Sequence, residues 1–175
     1  TNREANDYSD LANLSRIVAL STVHRRLYQS DDVSAFDVAD FARDLVTDLI
    51  AASGKNLVSE LDLDRVVVSA DKAAPLALMV NELVTNTIKH AFKGRNLGTP
   101  GRVGVTIKNP DGTLLIEVVD DGVGIDGAVG DGSFGLRLIK SLARQLRADV
   151  QWKDAAPGTR AAISMPINPF GGNVQ

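Results

Sequence analysis

Leu78-Met79-Val80-Asn81-Glu82-Leu83-Val84-Thr85-Asn86-Thr87-Ile88-Lys89-His90-Ala91-Phe92 carries two patterns at once. The first is apolar. On a helix, Leu76, Val80, Leu83, Thr87 and Ala91 share one side, the side expected to pack on a sheet. The second is polar. Glu82 and Asn86 are four residues apart and Asn86 and Lys89 three apart, so a carboxylate, an amide oxygen and an ammonium line a neighbouring stripe. Asn81 lies off that stripe and ranks below the other three. Ser69 to Asp71 offers a start for this helix, with Pro75 expected in its first turn or at its true beginning. A stripe of this kind suits a metal–triphosphate complex. Magnesium takes hard oxygen ligands together with phosphates and waters, a neutral amide binds it without adding charge, and an ammonium offsets a phosphate. Glu82 is the candidate catalytic carboxylate, able to orient water or a reacting group. A solvated polar helix face explains the same residues equally well when the helix is taken alone.

Working outward, the chain before this helix reads as two helices and two short strands. An amphipathic helix runs from Arg3 to about Gln29, broken by Ser30-Asp31-Asp32, and a second from about Ala35 to Ala52 with Phe36, Phe41, Leu45 and Leu49 as its apolar stripe. Strands are expected near Leu57–Leu61 and Arg65–Val68. Beyond Gly94 the period becomes alternating. Val103, Val105 and Ile107 form one strand face, Asn109-Pro110-Asp111-Gly112 a hairpin turn, and Leu114, Ile116 and Val118 the returning strand. A glycine-rich loop from Gly122 to Gly135 leads into a helix ending near Leu146. Two last strands near Asp149–Lys153 and Arg160–Met165 are joined by Ala156-Pro157-Gly158. The expected fold is therefore α+β, a two-layer sandwich with a mixed, largely antiparallel sheet, preceded by a long N-terminal helix.

Two glycine elements add to the helix. Asp120-x-Gly122-x-Gly124 follows directly on a strand; a carboxylate there can accept from an exocyclic amine such as that of adenine, and glycine lets a flat ring approach the backbone. Gly130-Asp131-Gly132-Ser133-Phe134-Gly135 opens into a helix, whose first N–H groups and dipole favour phosphate. No Gly-Lys-Ser or Gly-Lys-Thr follows, so this is not a P-loop, and no βαβ unit surrounds it.

The totals narrow the field. The 175 residues suit one domain with a short appendage, and 44% hydrophobic residues are enough for a core. Cysteine is absent, which removes disulfides and thiolate metal sites. A net charge of −3 with scattered basic residues, and only 5% aromatics, argue against a nucleic-acid partner. No apolar run is long enough to span a bilayer and no signal peptide is seen; the expected location is the cytoplasm, whether or not a longer protein is membrane-anchored.

In this order and at these distances the three elements resemble the GHKL family of ATP-binding domains, over about Phe36 to Met165. The resemblance implies ATP and Mg2+ as ligands, with Asn86 as magnesium ligand and Glu82 as the acidic residue one turn before it. It implies Lys89 as phosphate contact, Asp120 as the adenine-reading aspartate, and Gly122 and Gly124 at the adenine pocket. Gly132 and Gly135 match the lid and phosphate end, His90 a position where relatives often carry a ring near the nucleotide, and Gly158-Thr159 a Gly-Thr that often closes the pocket. The stretch Arg16-Ile17-Val18-Ala19-Leu20-Ser21-Thr22-Val23-His24-Arg25-Arg26-Leu27-Tyr28 is similar to the second dimerisation helix of bacterial sensor histidine kinases whose acceptor motif reads His-Arg-x-x-Asn, cousins of the HWE kinases. The implied division is residues 1–33 as part of a dimerisation domain, 34–167 as the ATP-binding domain and 168–175 as a flexible tail. The implied function is a protein-histidine kinase of a two-component system, with a response regulator and its own dimerisation helix as partners and a possible homodimer in the parent protein. The acceptor histidine is expected upstream and not in this chain, because His24 lacks the Asn four residues on and lies on the second helix. A GHKL serine kinase of the anti-sigma type and a non-catalytic GHKL module remain as alternatives.

Overall fold

The computed structural model describes residues 2–29, 34–94, 98–124 and 134–167, and of residues 2–11 the backbone only. Four α-helices and seven strands fall within these ranges: α1 (Asn2–Gln29), β1 (Ala35–Asp37), α2 (Val38–Ser53), β2 (Leu57–Leu63), β3 (Val67–Ser69), α3 (Ala70–His90), β4 (Gly101–Lys108), β5 (Thr113–Asp120), α4 (Phe134–Leu146), β6 (Asp149–Asp154) and β7 (Thr159–Pro166). Five strands form one sheet in the order β2-β4-β5-β7-β6. Only β2 and β4 are parallel; the other pairs are antiparallel. This is the α+β sandwich with a mixed, mostly antiparallel sheet that the alternating runs predict.

The alternation decides which face is covered. In β5 the residues Leu114, Ile116, Val118 and Asp120 are buried, while those between them are half-exposed. Val103, Val105 and Ile107 of β4, and Ala161, Ile163 and Met165 of β7, bury the same face. Against it lies α3, with Leu76, Val80 and Leu83 buried, as is Ala91 just after its end. Thr87, expected with them, is half-buried and borders a cavity instead. Period two on the sheet and period 3.6 on the helix thus meet in one core. Asp120 is the last residue on the buried face of its strand, so the register that buries Ile116 and Val118 also turns a carboxylate toward α3.

Three expectations need correction. Ala35–Asp37 is a strand, not the start of a helix: it pairs antiparallel with β3, Ala35 opposite Ser69 and Asp37 opposite Val67. The helix begins only at Val38, because the Asp37 carboxylate accepts from the Ala39 and Asp40 N–H groups and so caps it. The strand expected at Arg65–Val68 sits slightly later, at Val67–Ser69, in register with β1. Pro75 is neither in the first turn nor at the beginning of α3. The helix starts at Ala70, so Pro75 lies inside its second turn, buried. One missing N–H so near the N-terminus leaves most of the helical ladder intact.

The long N-terminal helix is present and lies against α2 and α3. It buries Ala19 and Val23 while leaving Leu14, Ile17 and Val18 exposed. Two ion pairs fasten it: the Arg26 guanidinium meets the Asp44 carboxylate of α2, and Arg16 meets Glu82 of α3.

Candidate functional site

The site grows from the end of β5. Asp120 is 4% exposed, and its Oδ1 accepts from the Gly122 N–H at 2.9 Å and the Thr159 N–H at 3.2 Å. Its Oδ2 takes no hydrogen bond from a described residue. Burial pushes the Asp120 carboxyl above the usual carboxylate range; the two backbone donors pull it part of the way back, and the neighbouring Asp121 adds to the rise. Two glycines make this packing feasible. A β-carbon at Gly122 would stand 2.1 Å from the Ala91 carbonyl oxygen, and one at Gly158 would stand 1.8 Å from that of Asp120. Gly158 also has φ +91°, a region that L side chains rarely adopt. The chain after β5 is thereby held against the end of α3, where the Val123 N–H donates to Ala91 at 2.8 Å.

Between α3 and the sheet opens a cavity of about 230 Å3, bordered by Asn86, Thr87, His90, Asp120, Gly124 and Thr159 among others. Val118, Leu136 and Trp152 contribute apolar wall, suited to a flat heteroaromatic ring. A second hollow of about 450 Å3 lies further along α3, bordered by Arg16, Glu82, Asn86, Lys89, Phe134 and Gly135. Asn86 and His90 border both, so the two form one trough with a carboxylate at the apolar end and cations with an amide at the other. Taken together the volumes fall within the ~300–1,000 Å3 usual for small-molecule sites.

The electrostatics differ along the trough. Burial eases the Lys89 ammonium's pKa downward; Glu82 opposes that shift and Arg16 adds to it. The pKa of the His90 imidazole is also lowered, first by loss of solvent and then by Lys93, Lys89 and Lys55. Loss of solvent and the three lysines thus both disfavour a positive charge on the His90 imidazole.

Most of the residues singled out from sequence come together here. Glu82, Asn86, Lys89, His90, Asp120, Gly124, Gly135 and Thr159 border the trough, and Gly122 donates to Asp120. Gly132 lies outside the described residues. Asn81, ranked below the stripe, is fully buried, and its Nδ2 donates to Ser15 of α1 at 3.2 Å and to Glu82 Oε1 at 3.4 Å. His24 lies exposed on α1 with its ring against Tyr28, 4.4 Å between centroids. Sequence reasoning missed Arg16 and Phe134 as parts of the site. Arg16 reaches Glu82 from 66 residues away, and no local spacing announces such a pair.

The donor set fits magnesium bound with phosphates better than magnesium bound by protein alone. Among the described residues no group of three or more histidine or acidic side chains is placed to hold a metal ion. Asn86 would offer one neutral oxygen beside Lys89, and the remaining coordination would fall to phosphate and water, as magnesium prefers.

Comparison with known proteins agrees with this geometry. Residues 71–169 match the family described as histidine kinase-, DNA gyrase B-, and HSP90-like ATPase, and residues 3–53 match a histidine kinase family, HisKA_2. The sensor histidine kinase PdtaS of Mycobacterium tuberculosis is 25% identical over 168 residues, 92% of this chain and 33% of that protein. Blue-light-activated histidine kinase 2 of Erythrobacter litoralis is 29% identical over 108 residues, 60% of this chain and 31% of that protein. Among solved structures, the histidine kinase domain of a blue-light-activated histidine kinase from Erythrobacter litoralis superposes with a TM-score of 0.79 at 23% identity. That match covers 89% of this chain and 75% of the other, and shows a shared fold. The chain spans about one third of the length of the curated relatives it matches.

Proposed function

We propose, for a chain that belongs to the histidine kinase-, DNA gyrase B- and HSP90-like ATPase family, that it binds ATP and presents the γ-phosphate to a histidine of the longer protein. The phosphoryl group then passes to an aspartate of a response regulator. The observation that carries this reading is the single trough with Asp120 at its apolar end and Asn86, Lys89 and Glu82 at its polar end.

In this reading the adenine ring lies between Val118, Leu136 and Trp152, and its amine donates to Asp120 Oδ2. The phosphates run along α3 toward Lys89, whose ammonium offsets their charge. Magnesium, when bound, supplies further charge neutralisation, with Asn86 as its protein ligand. An imidazole nitrogen of the acceptor histidine attacks the γ-phosphorus in line; the N–P bond forms as the P–O bond to the β-phosphate breaks, and ADP leaves. Glu82 takes the proton released from the imidazole. Catalysis of this kind is mostly positioning and charge compensation.

Residues 1–33 fit the second helix of a dimerisation domain. The exposed Leu14, Ile17 and Val18 offer an apolar face to another helix of that domain, in the same chain or a second copy. Residues 34–167 form the ATP-binding part, and His24 serves structure by packing on Tyr28. The match of residues 3–53 to a histidine kinase family favours a histidine acceptor over a serine of a separate protein. No helix among the described residues is long and apolar enough to cross a membrane, and we place this segment in the cytoplasm. The direct test replaces Asn86 with Ala or Asp and titrates ATP with and without magnesium. The expected result is loss of the magnesium-dependent part of the affinity; unchanged affinity and unchanged magnesium dependence would remove Asn86 from the site.

A further inference from the structure

Glu82 is almost completely enclosed, with 5% of its side chain exposed, and Arg16 of α1 is bound to it. Arg16 Nε donates to Oε1 at 2.7 Å and Arg16 Nη2 to Oε2 at 3.0 Å, so one guanidinium holds both carboxylate oxygens. The third nitrogen, Nη1, donates to Asn13 Oδ1 at 3.0 Å, which fixes the fork on its own helix. The guanidinium carbon lies 4.8 Å from the centroid of the Phe134 ring at the start of α4. Gly135 is so close that a β-carbon there would stand 2.7 Å from Glu82 Oε2. Three helices therefore meet on one carboxylate. Two-point Arg–carboxylate pairs of this kind are strong and directional.

The contact surrounding this pair is less well satisfied. Asn81 Oδ1 and Thr85 Oγ1 are buried on α3 without a hydrogen-bond partner among the described residues. Such orphaned atoms weaken an interface by their lost hydration, and the polar contacts across α1 and α3 include the Arg16–Glu82 pair and the Asn81–Ser15 hydrogen bond. For Glu82 to accept the proton of an incoming imidazole, a ring must reach an oxygen now held by Arg16 and closely approached by Gly135. That approach requires Arg16 to leave.

We propose that Arg16 is a positioning residue that latches α1 onto Glu82, so that the docked arrangement is the resting one and opening of this pair precedes phosphoryl transfer. This rests on the reading of Glu82 as proton acceptor given above. The arrangement makes α1 a reporter of the dimerisation domain: a movement that draws Arg16 away frees the carboxylate in the same step.

The test uses the full-length protein with its acceptor histidine, and compares wild type with Arg16→Gln and Arg16→Lys. Arg16→Gln is expected to raise kcat for autophosphorylation by about fivefold to thirtyfold, the factor that ~1–2 kcal/mol corresponds to, with KM for ATP changed by less than about tenfold. Arg16→Lys keeps the charge but not the fork, and should fall between the two. Hydrogen exchange, which needs no activity, should show faster exchange of the α1 amides in Arg16→Gln while those of β5 stay protected. A fall in kcat, an unchanged kcat, or a KM for ATP raised more than about tenfold would each overturn the latch; the last would instead make Arg16 a phosphate contact. Calorimetric titration of the wild type with Mg·ATP separates the two layers. Absence of binding removes the nucleotide reading and the latch together, whereas normal binding with an unaltered kcat in Arg16→Gln removes the latch alone.

Discussion

Asp120 holds two backbone N–H groups on one oxygen and offers the other to the cavity, and its burial raises the pKa of its carboxyl group. Two pH effects follow. The folded state keeps the Asp120 proton to higher pH than the unfolded chain does, so this group's contribution to stability is present at low pH and is lost as pH rises through the interval between the two values. Asp120→Asn has no such proton to lose. Urea unfolding of the two proteins from about pH 4 upward should therefore show wild type losing stability relative to the variant as pH rises; a constant difference would contradict the raised pKa. In the proposed site adenine affinity runs the other way. The amine needs the ionised carboxylate as acceptor, so ATP should bind more weakly as pH is lowered through that same interval, and fluorescence titration of an ATP analogue across it checks this. At this scale the sequence was informative where chemistry is local. Asp120 before Gly122, and Glu82, Asn86 and Lys89 on one stripe, are legible because three- and four-residue spacings fix which side chains share a helix face. The Arg16–Glu82 pair was not legible, since it depends on how α1 lies across α3.

At the scale of elements, the strand β5 and the turn before β7 carry the site. Ile116 sits fully buried at the centre of β5 between β4 and β7. Truncation to alanine should cost ~2–5 kcal/mol, read from the urea midpoint. Gly158 tests the close approach on which the cavity depends. Gly158→Ala adds a β-carbon onto the Asp120 carbonyl at a φ of +91° and should cost at least about 2 kcal/mol and weaken nucleotide binding with it. Gly104→Ala is the control, because a β-carbon there meets its nearest neighbour at an ordinary 3.7 Å; its cost should stay within about 0.5 kcal/mol. Equal losses in the two variants would show that the Gly158 turn is not a special constraint. The alternating runs revealed β4, β5 and β7 because one face of each is buried and the other is not. The short pair β1–β3 escaped because three residues are too few to show a period, and Phe36 fits a helical stripe as well as a strand. Pro75 misled for a related reason: proline reports that one N–H is missing but not how many turns precede it.

At the scale of the whole molecule, one helix joins two roles. Along α1, Ala19 and Val23 are buried, Arg16 and Arg26 pin the helix to α3 and α2, and an apolar face stays exposed. The fold and the ATPase family could be reached from sequence because three glycine and polar elements occur in fixed order. The docking of α1 could not, because helix periodicity shows that a face is apolar without showing what covers it. A ligand that binds only the folded chain also stabilises it, and Mg·ATP at a hundredfold excess over Kd should add ~2.7 kcal/mol, seen as a raised thermal midpoint. The most direct measurement is calorimetric titration of the chain and of Asp120→Asn with ATP in the presence of magnesium. One ATP should bind per chain, with the variant weakened by about tenfold to a hundredfold, the loss expected for a hydrogen bond to a charged group. Equal affinity in the two proteins, or no binding by the wild type, would contradict an adenine site built on Asp120.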